Sequence, residues 1–340
     1  MFHTPGSRLL LTAWLALAAS GLPHSTPRTP ERGTARVQAP KSGGAFTLGV
    51  LRRDGVVIPF AAWDGSRWGN RWPAPGRRED IPITVAGSPK GWWLNDRPVS
   101  YWTAWPLRGD SQVVYVKNPI NVTAECQGHI GLQTDYKSVE APAKPQMQPY
   151  PKDGLATAGD ILVEPVAILD AKSPEWSKVS GDVAARITQT ETKLLGTGQR
   201  TPAFSEAERA KRPFTLEVLF RSAGPRPGTT LLYFEGIKRY GRTSESLRPY
   251  VVVAPEPLTY AVGWVVVDPQ GSPTIHELVT FSDSRREGLL YTMGLGSFRV
   301  GDKLYWAVQR SGWGFERFDI VEISGPEVKT AFSTPGGSCR

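Results

Sequence analysis

Histidine, cysteine and methionine are scarce in this 340-residue chain, with four, two and three copies. His3 and His24 lie near the amino end, which leaves His129 and His276 for a folded region. A three-histidine metal site within the fold is therefore excluded, and two cysteines cannot build a four-thiolate zinc site. His276-Glu277 lacks the second histidine of a zinc-protease helix. The chain also has no G-x-S-x-G elbow, S-x-x-K pair, phosphate loop or dinucleotide-binding glycine loop. No cofactor or metal is expected. After residue 19 no apolar run approaches the roughly 20 residues that a membrane-spanning helix needs.

Glycine and proline, by contrast, are plentiful, with 35 and 30 copies. Glycine follows no strict period, so a collagen-like chain is ruled out, and so much proline is incompatible with a long helical bundle. Hydrophobic residues make up 40% of the chain and recur in aromatic and β-branched clusters, which argues against general disorder.

The amino end reads as an export signal. Residues 1–8 carry Arg8, LLLTAWLALAA follows at 9–19, and Ala16-Leu17-Ala18 offers a small-x-small cleavage pattern. Cleavage is expected between Ala18 and Gly21, giving a signal peptide over 1–20 and a secreted or periplasmic location. The formal net charge of +8 then falls by one. The basic residues are scattered in pairs, as a solvated surface would place them, and export argues against nucleic acid as the ordinary partner. Two lone cysteines in an oxidising compartment, Cys126 and Cys339, are expected to form one disulfide. Asn121-Val122-Thr123 matches an N-glycosylation acceptor.

Residues 21–44 read as a flexible proline- and glycine-rich tether. An N-terminal β-rich region is expected over 45–140, starting with FTLGVLRR and GVVIPFAAW around the turn Asp54-Gly55. Pro59 in the second run predicts an edge strand or a bulge. IPITVAG at 81–87 is also strand-like. Residues 141–154 read as a proline-rich connector, and 155–212 as a strand plus helical segment. The main helix has Ser173 as its cap, Pro174 at its first position and Gly196 at its end. Trp176, Val179, Val183, Ile187 and Leu194 share one face, and Ser205 to Glu208 forms a capping box. A C-terminal β-rich region fills 213–340. The fold class is mainly β: two closely associated β-rich halves, or one large β domain, with one principal α-helix between them.

The aromatic residues give the leading functional signal. Seven of the 12 tryptophans fall between Trp63 and Trp105. Trp68, Trp72, Trp92 and Trp93 are candidates for a binding surface, although aromatic residues filling a small β core explain the same cluster. Trp92 and Trp93 would face opposite sides of a strand. The preferred function is a non-catalytic binding or structural role outside the cytoplasm. Its partner would be a glycan, an envelope polymer or another exported protein. The rival is a secreted glycosidase-like hydrolase using two carboxylates among Asp64, Asp135, Glu164, Glu235, Glu277 and Asp283. His129 and Asp135 lie close in sequence, but as strand residues six apart they do not form an obvious dyad.

Overall fold

A computed structural model describes residues 44–76, 81–141, 143–144, 147, 149–196, 205–240, 257–282, 289–325 and 327–339. The readings of the signal segment and most of the tether, and Asp283, lie outside the described residues.

The first strands form where the alternating apolar runs predict them. β1 (Phe46–Arg52) and β2 (Val56–Trp63) pair antiparallel around the Asp54-Gly55 turn. Gly55 has a φ of 79°, which this tight turn requires and glycine adopts without steric cost. The β1–β2 register shifts between Leu48 and Gly49, opposite Ala61 and Pro59, so the strand carries a bulge where proline cannot donate to the ladder. β3 (Trp68–Gly69) extends the hairpin. Residues 81–87 make turns instead of a strand. Gly87 N donates to Thr84 O and Ser88 N to Val85 O, so the local bonds compete successfully with a ladder.

β4 (Tyr101–Pro106), β5 (Gln112–Ala124), β6 (Gln127–Thr134) and β7 (Lys152–Ala158) follow. Their pairing runs β1-β7-β4-β5-β6-β2, and the β1–β2 pair closes a six-stranded antiparallel barrel. The sixth strand thus comes from the end of the proline-rich segment. Leu51, Val57, Trp102, Ala104, Ile130, Leu132 and Ala156 fill the interior. Trp102 takes up so much of it that a Cβ on Gly49 would lie 3.2 Å from its ring and 2.5 Å from Val57.

The remaining strands form two five-stranded sheets. β8 (Val163–Glu164) pairs with β14 (Tyr291–Val300), continuing to β15 (Lys303–Gly312), β16 (Phe315–Ser324) and β17 (Glu327–Ser338). β9 (Ala167–Ile168) pairs with β10 (Phe214–Ala223), continuing to β11 (Thr230–Arg239), β12 (Leu258–Val267) and β13 (Pro273–Ser282). The β14–β17 sheet is covered on both faces. Phe298, Tyr305, Ala307, Phe318 and Ile320 pack against Leu48, Val50 and Phe60 of the barrel. Leu304, Trp306, Val308 and Val321 pack against Leu231, Tyr233 and Trp264 of the other sheet. Alternate residues of β15 therefore reach different apolar layers, which explains its run of buried residues.

Helix α1 (Pro174–Gly196) lies between the barrel and the β10–β13 strands in the chain and covers the outer face of that sheet. Trp176 N donates to the Ser173 hydroxyl at its start, and Val179, Val183 and Ile187 supply its buried stripe. Gly181 faces open space. The short helix α2 (Glu206–Ala210) has its capping box through Ser205 and Glu208.

Each layer boundary carries a buried polar tie. Lys152 of the barrel meets Glu316 at 2.8 Å, and Gln309 donates to the same carboxylate. Burial lowers the Lys152 pKa, while Glu316 opposes that shift. Thr292 N on β14 donates to Glu235 on β11 at 2.6 Å, and Tyr233 donates to the same oxygen. Lys238 and Tyr240 both contact Glu191 of α1, each at 2.6 Å. Cys126, beside the β5–β6 turn, and Cys339 form a disulfide across 213 positions. It joins the barrel to the end of β17.

Replacing both cysteines with serine should lower stability by about 2–4 kcal/mol, read as a lower urea midpoint; an unchanged midpoint would contradict this role. Burial raises the Glu235 pKa. A raised native pKa means its favourable contribution is complete below the unfolded pKa and is lost as pH rises through the native value. Glu235→Gln keeps the accepting oxygen without that charge, so it should flatten the loss of thermal stability above about pH 4.5. Parallel pH profiles of melting temperature for both proteins across about pH 4 to 8 would refute the assignment.

Candidate binding site on the barrel

The four singled-out tryptophans do not occupy one exposed surface. Trp72 and Trp93 are only 5% and 4% exposed and pack against the barrel core. Trp72 Nε1 donates to Ile130 O, and Trp93 Nε1 donates to the Ser88 hydroxyl, both at 2.8 Å. Trp92 is half-buried. The rings of Trp92 and Trp93 both meet Trp72 edge-on, at 5.2 and 5.3 Å. This common packing is possible because residues 90–93 form a tight helical turn, with Trp92 N bonded to Pro89 O and Trp93 N to Lys90 O. A strand would have sent the rings to opposite faces.

Trp68 is half-buried on β3, where Phe46, Trp63, Phe298 and Tyr305 surround its ring at 5.3 to 5.9 Å. Its remaining accessible part lines a cleft of about 240 Å³ with Asp64, Arg67, Asn70, Arg71 and Leu94. Asp64 organises the approach by accepting from Ser66 N and Arg67 N, and these bonds hold its carboxyl well below the usual carboxylate range. Asn70 accepts from Trp72 N and donates to Thr334 of β17, so the cleft floor is fixed to both the barrel and the adjoining sheet. Arg67 pairs with Asp64 at 3.2 Å and Arg71 with Asp96 at 3.4 Å, and their side chains are 85% and 50% exposed. Exposed ion pairs are weak, so the cleft combines an indole with two guanidinium groups that remain open to an anionic ligand with an apolar face.

The outer face of the barrel also exposes aromatic residues that the tryptophan count does not reveal. Tyr101 and Tyr115 are 62% and 60% exposed and stand directly opposite each other on β4 and β5. Their positions alternate with buried Trp102 and Val114. This period-two pattern was the available signal for an outward tyrosine pair.

The described carboxylates proposed for hydrolysis are spread over separate parts of the fold. Asp135 accepts from Tyr115 N. Glu277 accepts from Arg186 and Thr190 of α1, whereas Glu235 faces β14, so these two lie on opposite faces of one sheet. Glu164 lies on β8, and Asp64 is in the β2–β3 turn. His129 is buried on β6, opposite Val122, while Asp135 follows that strand. No group of three or more potential metal ligands occurs among the described residues. No helix among them is long and apolar enough to cross a membrane.

Comparison with protein-family models, curated proteins and solved structures finds no match to this chain. The arrangement of its own residues carries the functional argument.

Trp93→Ala should destabilise the protein by about 3–5 kcal/mol, because it removes a large side chain from a packed site. Chemical denaturation measures that loss; a change below about 1 kcal/mol would show that Trp93 is not the structural support described above.

Proposed function

We propose that the chain is an exported, non-catalytic binding protein whose barrel receives an acidic glycan or acidic envelope polysaccharide. Export rests on the charged start, apolar run and small-residue site at the amino end. The observation that carries the ligand assignment is the convergence of Trp68, Arg67 and Arg71 on one cleft. A sugar ring stacks its apolar face on an indole, while the guanidinium groups pair with its carboxylates. Asn70 adds an amide at the same place. Among the four candidate tryptophans, Trp68 is the contact residue. Trp72 and Trp93 act as the rigid backing that a preorganised site needs.

The excess of basic residues favours the same class of ligand by drawing acidic polymers toward the surface. The separate positions of the described candidate carboxylates provide no support for the hydrolase alternative.

The test is capture on polygalacturonate beads, with neutral dextran beads as the control. Wild type should bind the acidic polymer, and retention should weaken as salt rises because accessible charges are screened. The Arg67→Ala/Arg71→Ala variant should bind at least about tenfold more weakly, with its melting temperature nearly unchanged. Equal retention on both polymers, or unchanged affinity of the double variant, would overturn the proposal.

A further inference from the structure

The strand edge beside a second cleft offers a chemically different site. In β9, Ala167 stands opposite Arg221 and Ile168 opposite Phe220. Leu169 N donates to Leu219 O at 2.9 Å. Backbone groups alternate sides along an antiparallel strand, so the bonds of residues 167 and 169 turn toward β10. The N–H and C=O of Ile168 consequently point the other way. β9 is the end of its sheet, so this direction leads off the sheet edge. Ile168 is 56% exposed, and β9 contains neither a charge nor a proline to discourage pairing.

A cleft of about 520 Å³ lies against Ile168, within the range of roughly 300–1,000 Å³ typical of ligand pockets. Leu107, Val139 and Met293 give it apolar walls. Its barrel side carries a chain of ion pairs: Arg53 meets Asp153 at 3.4 Å and Glu140 at 3.8 Å, while Arg108 also pairs with Glu140. An outward donor and acceptor on one extended residue match the backbone of another strand.

We propose that β9 receives an extended peptide segment of a partner protein by strand addition. The peptide's backbone would pair with Ile168 N–H and C=O. An apolar side chain would enter between Leu107 and Met293, and flanking polar side chains would meet the ion-paired wall. This site is independent of the Trp68 cleft and of the glycan assignment.

The probe is a phage-displayed library of random seven-residue peptides, selected on the full chain and counter-selected on blank resin. An enriched peptide is then resynthesised with single N-methyl groups at each position, removing one backbone donor at a time. Strand addition predicts a loss of affinity of about tenfold at the one position whose N–H pairs with Ile168 C=O, with its neighbours tolerant. Ile168→Pro deletes the outward N–H without removing a β9–β10 bond, and should weaken binding by at least about tenfold. Ile168→Ala retains that N–H and should weaken it less. Absence of enrichment, tolerance of N-methylation at every position, or wild-type affinity in folded Ile168→Pro would overturn the proposal. The N-methyl series uses the unaltered protein, so it decides the matter even if a variant fails to fold.

Discussion

The β14–β17 sheet is buried on both faces, and the positions of the other layers follow from that burial. One face needs the barrel, and the opposite face needs the β10–β13 sheet. That second sheet then has its own outer apolar face to cover, which α1 does with a stripe of valine and isoleucine. Apolar packing is largely non-directional, whereas the buried ties are directional. Lys152–Glu316, Thr292–Glu235 and Lys238–Glu191 each join neighbouring layers. A buried charge loses its partner if a layer slides, and an unpaired buried charge is costly. These contacts therefore select one alignment from the many that apolar packing alone would tolerate.

The two candidate binding regions are consequences of this layered construction. Trp68 contributes to the barrel–sheet junction, so its accessible edge is held in place by the surrounding rings. The larger cleft lies where barrel loops meet β9, a short strand with one neighbouring strand. The layered body thus presents an aromatic cleft with exposed guanidinium groups in one place and a sheet edge in another. Neither requires a catalytic constellation. The disulfide strengthens the connection across the barrel and β17 by joining residues 213 positions apart.

Local features of the chain were legible where local physics governs them. Ser173 and Pro174 start α1, its apolar spacing identifies the buried face, and the Asp54-Gly55 turn joins β1 to β2. The bulge near Pro59 follows from its missing N–H. The strand reading of 81–87 failed because short-range turn bonds used the backbone groups first. The tryptophan cluster was legible as a set of residues but not as a geometry. A helical turn gathers Trp92 and Trp93 around Trp72, while Trp68 sits in a different aromatic group. The outward tyrosine pair depends on strand register, which a count of aromatic residues does not contain.

By itself, the sequence determined the mainly β class, the principal helix and the single pair of cysteines available for a disulfide. Those features depend on residue type and short-range periodicity. Only the tertiary structure decided that β7 completes the barrel, that one sheet is enclosed on both faces, and that Arg67 and Arg71 share a cleft with Trp68. The physical reason is that these relations depend on contacts between segments far apart in the chain. The scarcity of histidine and cysteine restricted the chemistry available, but the location of accessible aromatic, cationic and backbone groups emerged from packing.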